Sequence, residues 1–198
     1  MRKLILAAAL LAGTAATPAF AQDAADTGRF SGVRVEGIVG YETTKDDGEG
    51  RDGIVYGVGA GYDIQSGNLV FGVSGEASKS NIDECTTSVL AAGDELCVSA
   101  GRDLTVGGRV GVVAGSNALL YAHVGYTNAR IDVDYTPATA GGANPFEGQS
   151  SNLDGVRVGG GAEIGIGRNA FAKAEYRYSN YEQGFDRHQV VGGFGLRF

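Results

Sequence analysis

What the chain lacks narrows the choices first. Proline is scarce: the leader holds Pro18, and the remainder has Pro137 and Pro145, close together in one polar stretch. Nearly every other backbone N–H is therefore free to join a hydrogen-bonded ladder. Basic residues are also scarce. Without Arg2 and Lys3, which belong to the leader, 14 basic residues face 23 acidic ones, a formal charge of −9. Nucleic acid is excluded as a partner, because phosphate binding needs clustered Lys and Arg. Long apolar runs are missing too. Leu4 to Ala16 is apolar over 13 residues, short of the roughly 20 that a spanning helix needs.

That apolar run has another use. Arg2 and Lys3 precede it, and Ala19-Phe20-Ala21 follows with small residues at the cleavage positions. This is the pattern of a secretory signal peptide over residues 1–21, removed before Gln22. An exported chain meets an oxidising compartment. Its two cysteines, Cys85 and Cys97, twelve apart in a polar segment with no histidine beside them, are expected to form a disulfide. Closing that loop contributes about 3 kcal/mol in the chain-entropy picture. Metal ligation would need more ligands nearby.

Glycine is what the chain has in excess, 34 residues with no Gly-x-y period. The glycines alternate with β-formers, and no helical period appears after Gln22. Eight strands are expected at 33–41, 54–64, 69–77, 103–113, 119–127, 155–166, 171–179 and 189–198. Each is near the 9–11 residues that a tilted strand needs to cross a bilayer. The connections alternate: 42–53, 78–102, 128–154 and 180–188 are long or polar, whereas 65–68, 114–118 and 167–170 are short. Long extracellular loops and short periplasmic turns of an antiparallel up-and-down transmembrane β-barrel produce that alternation. The expected organisation is a leader at 1–21, a short periplasmic segment at 22–29 and an all-β barrel at 30–198.

The two faces identify the solvent. One carries Val33, Val35, Val39, Tyr41, Ile54, Tyr56, Val58, Phe71, Val106, Val124, Val158 and Ile164, with no charge within the spans. The other carries Arg34, Glu36, Asp63, Glu76, Asp103, Arg109, Arg157, Glu163, Lys173, Glu175, Arg177 and Arg197. A water-soluble barrel inverts this arrangement. An eight-stranded interior is just wide enough for side chains to fill. Six acidic and six basic groups there are expected to neutralise one another as a plug, with inward glycines making room for the long arms. Unpaired, they would be very costly. The last strand ends on an alternating outward stripe of Val190, Phe194, Leu196 and Phe198, which looks like the signal read by the outer-membrane barrel assembly machinery.

Together, Phe30-Ser-Gly-Val-Arg-Val-Glu36, Tyr56-Gly-Val-Gly-Ala-Gly-Tyr-Asp63, Gly72-Val-Ser-Gly-Glu76, Phe171-Ala-Lys-Ala-Glu-Tyr-Arg-Tyr178 and Asp186-Arg-His-Gln-Val-Val191 up to Phe198 resemble the small opacity-porin-like, OmpA/OmpX-like outer-membrane barrels. The resemblance covers about 30–198. It implies the eight-stranded fold and the cell outer membrane, but no single activity: members are described as structural proteins, adhesins, porin-like proteins or haem binders. Tryptophan is absent, so any aromatic girdle must rely on Tyr and Phe.

Catalytic chemistry is hard to place. His123 falls on the inner face with no Ser or Cys nucleophile beside it, and His188 sits at the outer rim without a serine on the lipid side. The acidic loop 43–53 has the oxygen density of a divalent-cation site but lacks the full twelve-residue calcium pattern. The expected function is non-enzymatic, without a cofactor. The barrel would serve envelope structure and surface-loop presentation, with outer-membrane lipid, lipopolysaccharide, the assembly machinery and an extracellular ligand of the loops as partners. The alternative is a narrow porin or a haem- or ion-binding transport barrel.

Overall fold

The computed structural model describes residues 28–46, 49–89, 92–138, 150–182 and 185–198. The leader and most of segment 22–29 lie outside the described residues. Nine strands follow in order: β1 (Gly32–Asp46), β2 (Glu49–Ser66), β3 (Leu69–Ser80), β4 (Asp83–Thr87), β5 (Glu95–Ala114), β6 (Ala118–Thr136), β7 (Ser150–Ile166), β8 (Ala170–Tyr181) and β9 (Asp186–Arg197). Eight of them form one antiparallel circuit, β3-β2-β1-β9-β8-β7-β6-β5, closed by pairing of β3 with β5. A closed circuit has no edge strand to template further pairing.

The short turns fall where the sequence places them. Gly67, Gly115 and Gly167 sit in these turns at φ of 60°, 71° and 62°, a conformation that costs glycine nothing. The opposite connections differ from expectation, because pairing continues well past the bilayer. The β1–β2 ladder runs up to Asp46↔Glu49, and β5 and β6 are 20 and 19 residues long. Strand length is fixed by pairing partners as well as by bilayer thickness, so the barrel protrudes from the membrane.

The strand missing from the expected eight, β4, continues β3 after a break at Asn81 and Ile82. Along β3 the register is Lys79↔Arg102; along β4 it is Asp83↔Ser99, one residue out of step. The β5–β6 ladder slips at the same level, between Ala100 and Asp103. A bulge at this level thus marks where a β4–β5–β6 ribbon departs from the barrel circuit.

Alternation sorts the residues as the faces demand. Val39, Val58, Val73, Val106, Val124 and Ile164 are exposed on the outer wall, where lipid takes the place of water. Tyr41, Tyr56, Tyr126 and Tyr176 mark its extracellular edge, and Tyr62, Phe71, Phe194 and Phe198 its periplasmic edge. The girdle is built without tryptophan, in the positions where amphipathic rings sit.

Candidate functional site: a charge-paired lumen closed at both ends

The lumen is filled in three tiers. In the periplasmic tier, buried Asp63 accepts from Arg109 Nε and Nη2 at 2.9 and 2.7 Å and from Arg197 Nη2 at 3.0 Å. Arg34 Nε lies 3.1 Å from the same carboxylate. Glu163 takes Arg109 Nη1 at 3.0 Å and Arg197 Nη1 at 2.8 Å. Arg34 Nη1 reaches up to Glu36, 3.0 Å away, and so joins this tier to the next.

In the middle tier, Lys173 Nζ donates to Glu36 at 2.7 Å. Arg177 forks onto Glu76 at 2.6 and 2.7 Å and bonds Glu175 through Nε. Tyr121 donates to Glu175 at 2.5 Å, and His123 Nδ1 stands 3.5 Å from the same carboxylate. The outer tier centres on Asp103, which receives Arg157 at 2.6 Å, Tyr181 at 2.8 Å and Arg187 at 2.9 Å. Above it Gln189 donates to Glu42 at 2.7 Å.

Glu42 and Arg187 extend the charges read from sequence. Both positions fall in stretches that the sequence marks as connections, although the period-2 alternation of β1 and β9 continues through them: Glu36 and Glu42 share parity, as do Arg187 and Arg197. With these two, seven carboxylates (Glu36, Glu42, Asp63, Glu76, Asp103, Glu163, Glu175) face seven cations (Arg34, Arg109, Arg157, Lys173, Arg177, Arg187, Arg197) in the buried network among the described residues. The lumen is formally neutral. Inward glycines leave space for the arms: a Cβ at Gly61 would lie 2.9 Å from Arg34 Nη2, and one at Gly193 3.0 Å from Lys173 Cε.

Apolar side chains close both ends. Phe30, with no exposed surface, sits below the periplasmic tier with Val70 and Leu119. It is delivered by a short strap. Phe30 N–H donates to Gln65 Oε1 at 3.0 Å, Ser31 Oγ accepts from Gln65 N–H at 2.9 Å, and Arg29 reaches Gly167 O at 2.7 Å. Arg197 stacks over Phe30 and Phe171, 5.4 and 5.2 Å from the ring centres. Phe30 shares the parity of inward Arg34 and Glu36 but precedes the strand, which opens at Gly32 with φ 118°. At the other end Tyr181 packs with Ala129, Leu153 and Phe185, and Arg187 lies over Tyr181 and Phe185.

Outside the barrel, Cys85 and Cys97 are directly opposed across β4 and β5 and joined by a disulfide. Fully buried Asp94 fastens that ribbon, accepting from Val89 N–H at 2.7 Å and from the Tyr135 hydroxyl at 2.8 Å. The bond to Asp94 pushes the Tyr135 hydroxyl above its usual pKa. Just above the aromatic belt, Asp154 accepts from Tyr126 and Asn128 at 2.5 and 2.7 Å, and Asp186 from Tyr178 and Asn180 at 2.9 and 2.6 Å. Donation by Tyr126 holds the Asp154 carboxyl below its ordinary value. In the acidic loop, Asp52 is occupied by the Thr43 hydroxyl at 2.7 Å, while the side chains of residues 45–50 lie outside the described set.

The remaining sequence candidates fall apart from this network. His188 lies at the rim, its Nδ1 2.7 Å from the Tyr176 hydroxyl. Val190, Phe194, Leu196 and Phe198 point outward along β9. Backbone bonds between Phe198 and Val33, 2.8 and 3.2 Å, finish the seam with β1.

The fold has solved counterparts. NspA, a Neisserial surface protein, superposes with a TM-score of 0.59 at 17% identity, covering 85% of this chain and 98% of its own. Ail, the attachment invasion locus protein of Yersinia pestis, solved with the heparin analogue sucrose octasulfate, gives 0.56 at 15%, covering 84% and 99%. No curated protein matches the sequence. At such identities the likeness carries the fold alone. The family is set by the sequence itself, whose residues 7–198 match the outer membrane protein beta-barrel domain. The chain therefore belongs to the outer-membrane β-barrel family and resides in the cell outer membrane.

Proposed function

We propose that this chain is a non-enzymatic outer-membrane barrel with a closed lumen, contributing to envelope structure and presenting its β4–β5–β6 ribbon and loops for binding at the cell surface. The neutral, tiered network carries the reading: the space left at its centre is about 40 Å³, room for a water or two at about 30 Å³ each. In the same reading residues 1–21 are cleaved on export, and the outward stripe ending at Phe198 is read by the barrel assembly machinery. His123 stands 3.5 Å from Glu175 and His188 is bonded to the Tyr176 hydroxyl; neither contact is the Ser–His or Cys–His pair that a hydrolase needs. Lys79 and Arg102 are opposed across β3 and β5 at the rim, and in this reading they would meet the phosphates of lipopolysaccharide. Like charges facing each other across a ladder destabilise it unless an anion joins them.

Planar-bilayer conductance of purified protein tests the closed lumen. Wild type should show no steady current, and Glu175→Ala, which removes a partner from both Lys173 and Arg177, should open one. Steady wild-type conductance unchanged by Glu175→Ala would support the porin reading instead.

A further inference from the structure

Above the outer apolar plug the barrel wall splits. β2 and β3 stay paired up to Val55↔Ser80. Asn81 ends the seam, taking the Ile54 N–H on Oδ1 at 2.7 Å and donating its own N–H to Ile54 O at 3.1 Å. Beyond it β4 pairs with β5 alone. Inside the split lies a cavity of about 90 Å³ whose apolar walls come from Ile82, Ile131, Leu153 and Phe185. Its polar edge includes Thr44, Arg51 and Arg187, and Arg130 borders it while bonded to Asp132. No acidic residue lines it among the described residues, in a chain with 23 of them.

Arg187 is the informative residue. Its Nη1 bonds Asp103 below, while its Nε, 3.9 Å from Glu42 and too far to bond it, is buried without an acceptor. A buried donor left unmet costs stability unless something accepts from it. We propose that this cavity binds a short aliphatic carboxylate, its oxygens on Arg187 beside Arg51 and its chain against Ile82, Ile131, Leu153 and Phe185. The size agrees. The space equals the liquid share of about three waters, enough for propionate or butyrate and too small for a sugar, a nucleotide or haem. The charge agrees as well, since the apolar walls keep an anion from being screened by water.

The test uses folded, heat-modifiable full-length protein in micelles, titrated with butyrate and, separately, with 1-butanol, and followed by saturation-transfer NMR. Butyrate should bind saturably, and 1-butanol at least tenfold more weakly. Arg187→Gln should weaken butyrate at least tenfold. So should Ala100→Leu, which fills the cavity from β5 opposite Ile131 without touching the charge network and reports even if Arg187→Gln fails to fold. The proposal is overturned by folded wild type without saturable binding, by equal binding of the alcohol, or by an affinity unmoved by Ala100→Leu. The site rests on the closed-lumen reading only for its floor, and the two can fail separately. A silent barrel that ignores butyrate overturns the site alone; a conducting barrel that binds butyrate through Arg187 overturns the closed lumen alone.

Discussion

Asp63→Asn is the sharpest perturbation of the lumen. The substitution keeps the side chain's shape and removes one charge from a carboxylate that contacts Arg34, Arg109 and Arg197. Six carboxylates would then face seven cations, and the new amide would turn N–H donors toward guanidinium donors. Removing one partner of a buried pair costs about 3–5 kcal/mol. With a urea slope of about 2 kcal/mol/M, a loss of about 4 kcal/mol moves the unfolding midpoint down by roughly 2 M. The heat-dependent gel shift or tyrosine fluorescence can follow the transition, since no tryptophan is present. Adding Arg197→Gln restores neutrality, so the double variant should be more stable than the two single losses added together, with a coupling of about 1–3 kcal/mol. A single loss below about 1 kcal/mol, the scale of a solvated surface pair, or strict additivity of the two, would refute the closed, mutually neutralised lumen.

Three other perturbations probe separate parts. Phe30→Ala should lower stability by about 3 kcal/mol and release the strap, read as faster tryptic cleavage after Arg29 in reconstituted protein; an unchanged rate would show that Phe30 does not hold the strap. Phe198→Ala keeps the backbone bonds to Val33, so it should leave the refolded barrel's stability near wild type while cutting outer-membrane insertion in cells; normal insertion would remove the assembly role of the terminal ring. The Asp154 carboxyl should titrate below the usual midpoint of about 3.9, because Tyr126 donates to its charged form. Its depressed value means that the clasp stabilises above the ordinary carboxylate range and is lost as pH falls through the folded-state midpoint; NMR should show Tyr126→Phe moving that midpoint up.

How much of this was legible depended on what each residue's signal was. The outward valines and inward charges follow from parity alone, and Arg109, Arg157 and Lys173 are buried in the lumen where parity puts them. Glu42 and Arg187 obey the same parity but lie beyond the length that a bilayer requires, so a rule based on membrane thickness stopped short of them. The β4 strand could not be read, because its register depends on a one-residue slip opposite Ala100 and Asp103, which leaves no compositional mark. Phe30 was opaque for a related reason: its burial comes from a strap held by Gln65, 35 positions away.

The balance of the lumen has a consequence for how the sheet closes. Buried charges from β1 to β3 comprise one cation, Arg34, against four carboxylates, Glu36, Glu42, Asp63 and Glu76. Those from β7 to β9 comprise five cations, Arg157, Lys173, Arg177, Arg187 and Arg197, against two carboxylates, Glu163 and Glu175. Before closure the nascent sheet is thus a strip with a negative leading end and a positive trailing end. Attraction between the ends favours the β1–β9 seam over pairing with another copy's like end, and each arm carries uncompensated charge until they meet. A half-curled strip cannot shed its water cheaply, so dehydration of the interior and closure of the circuit have to occur as one event.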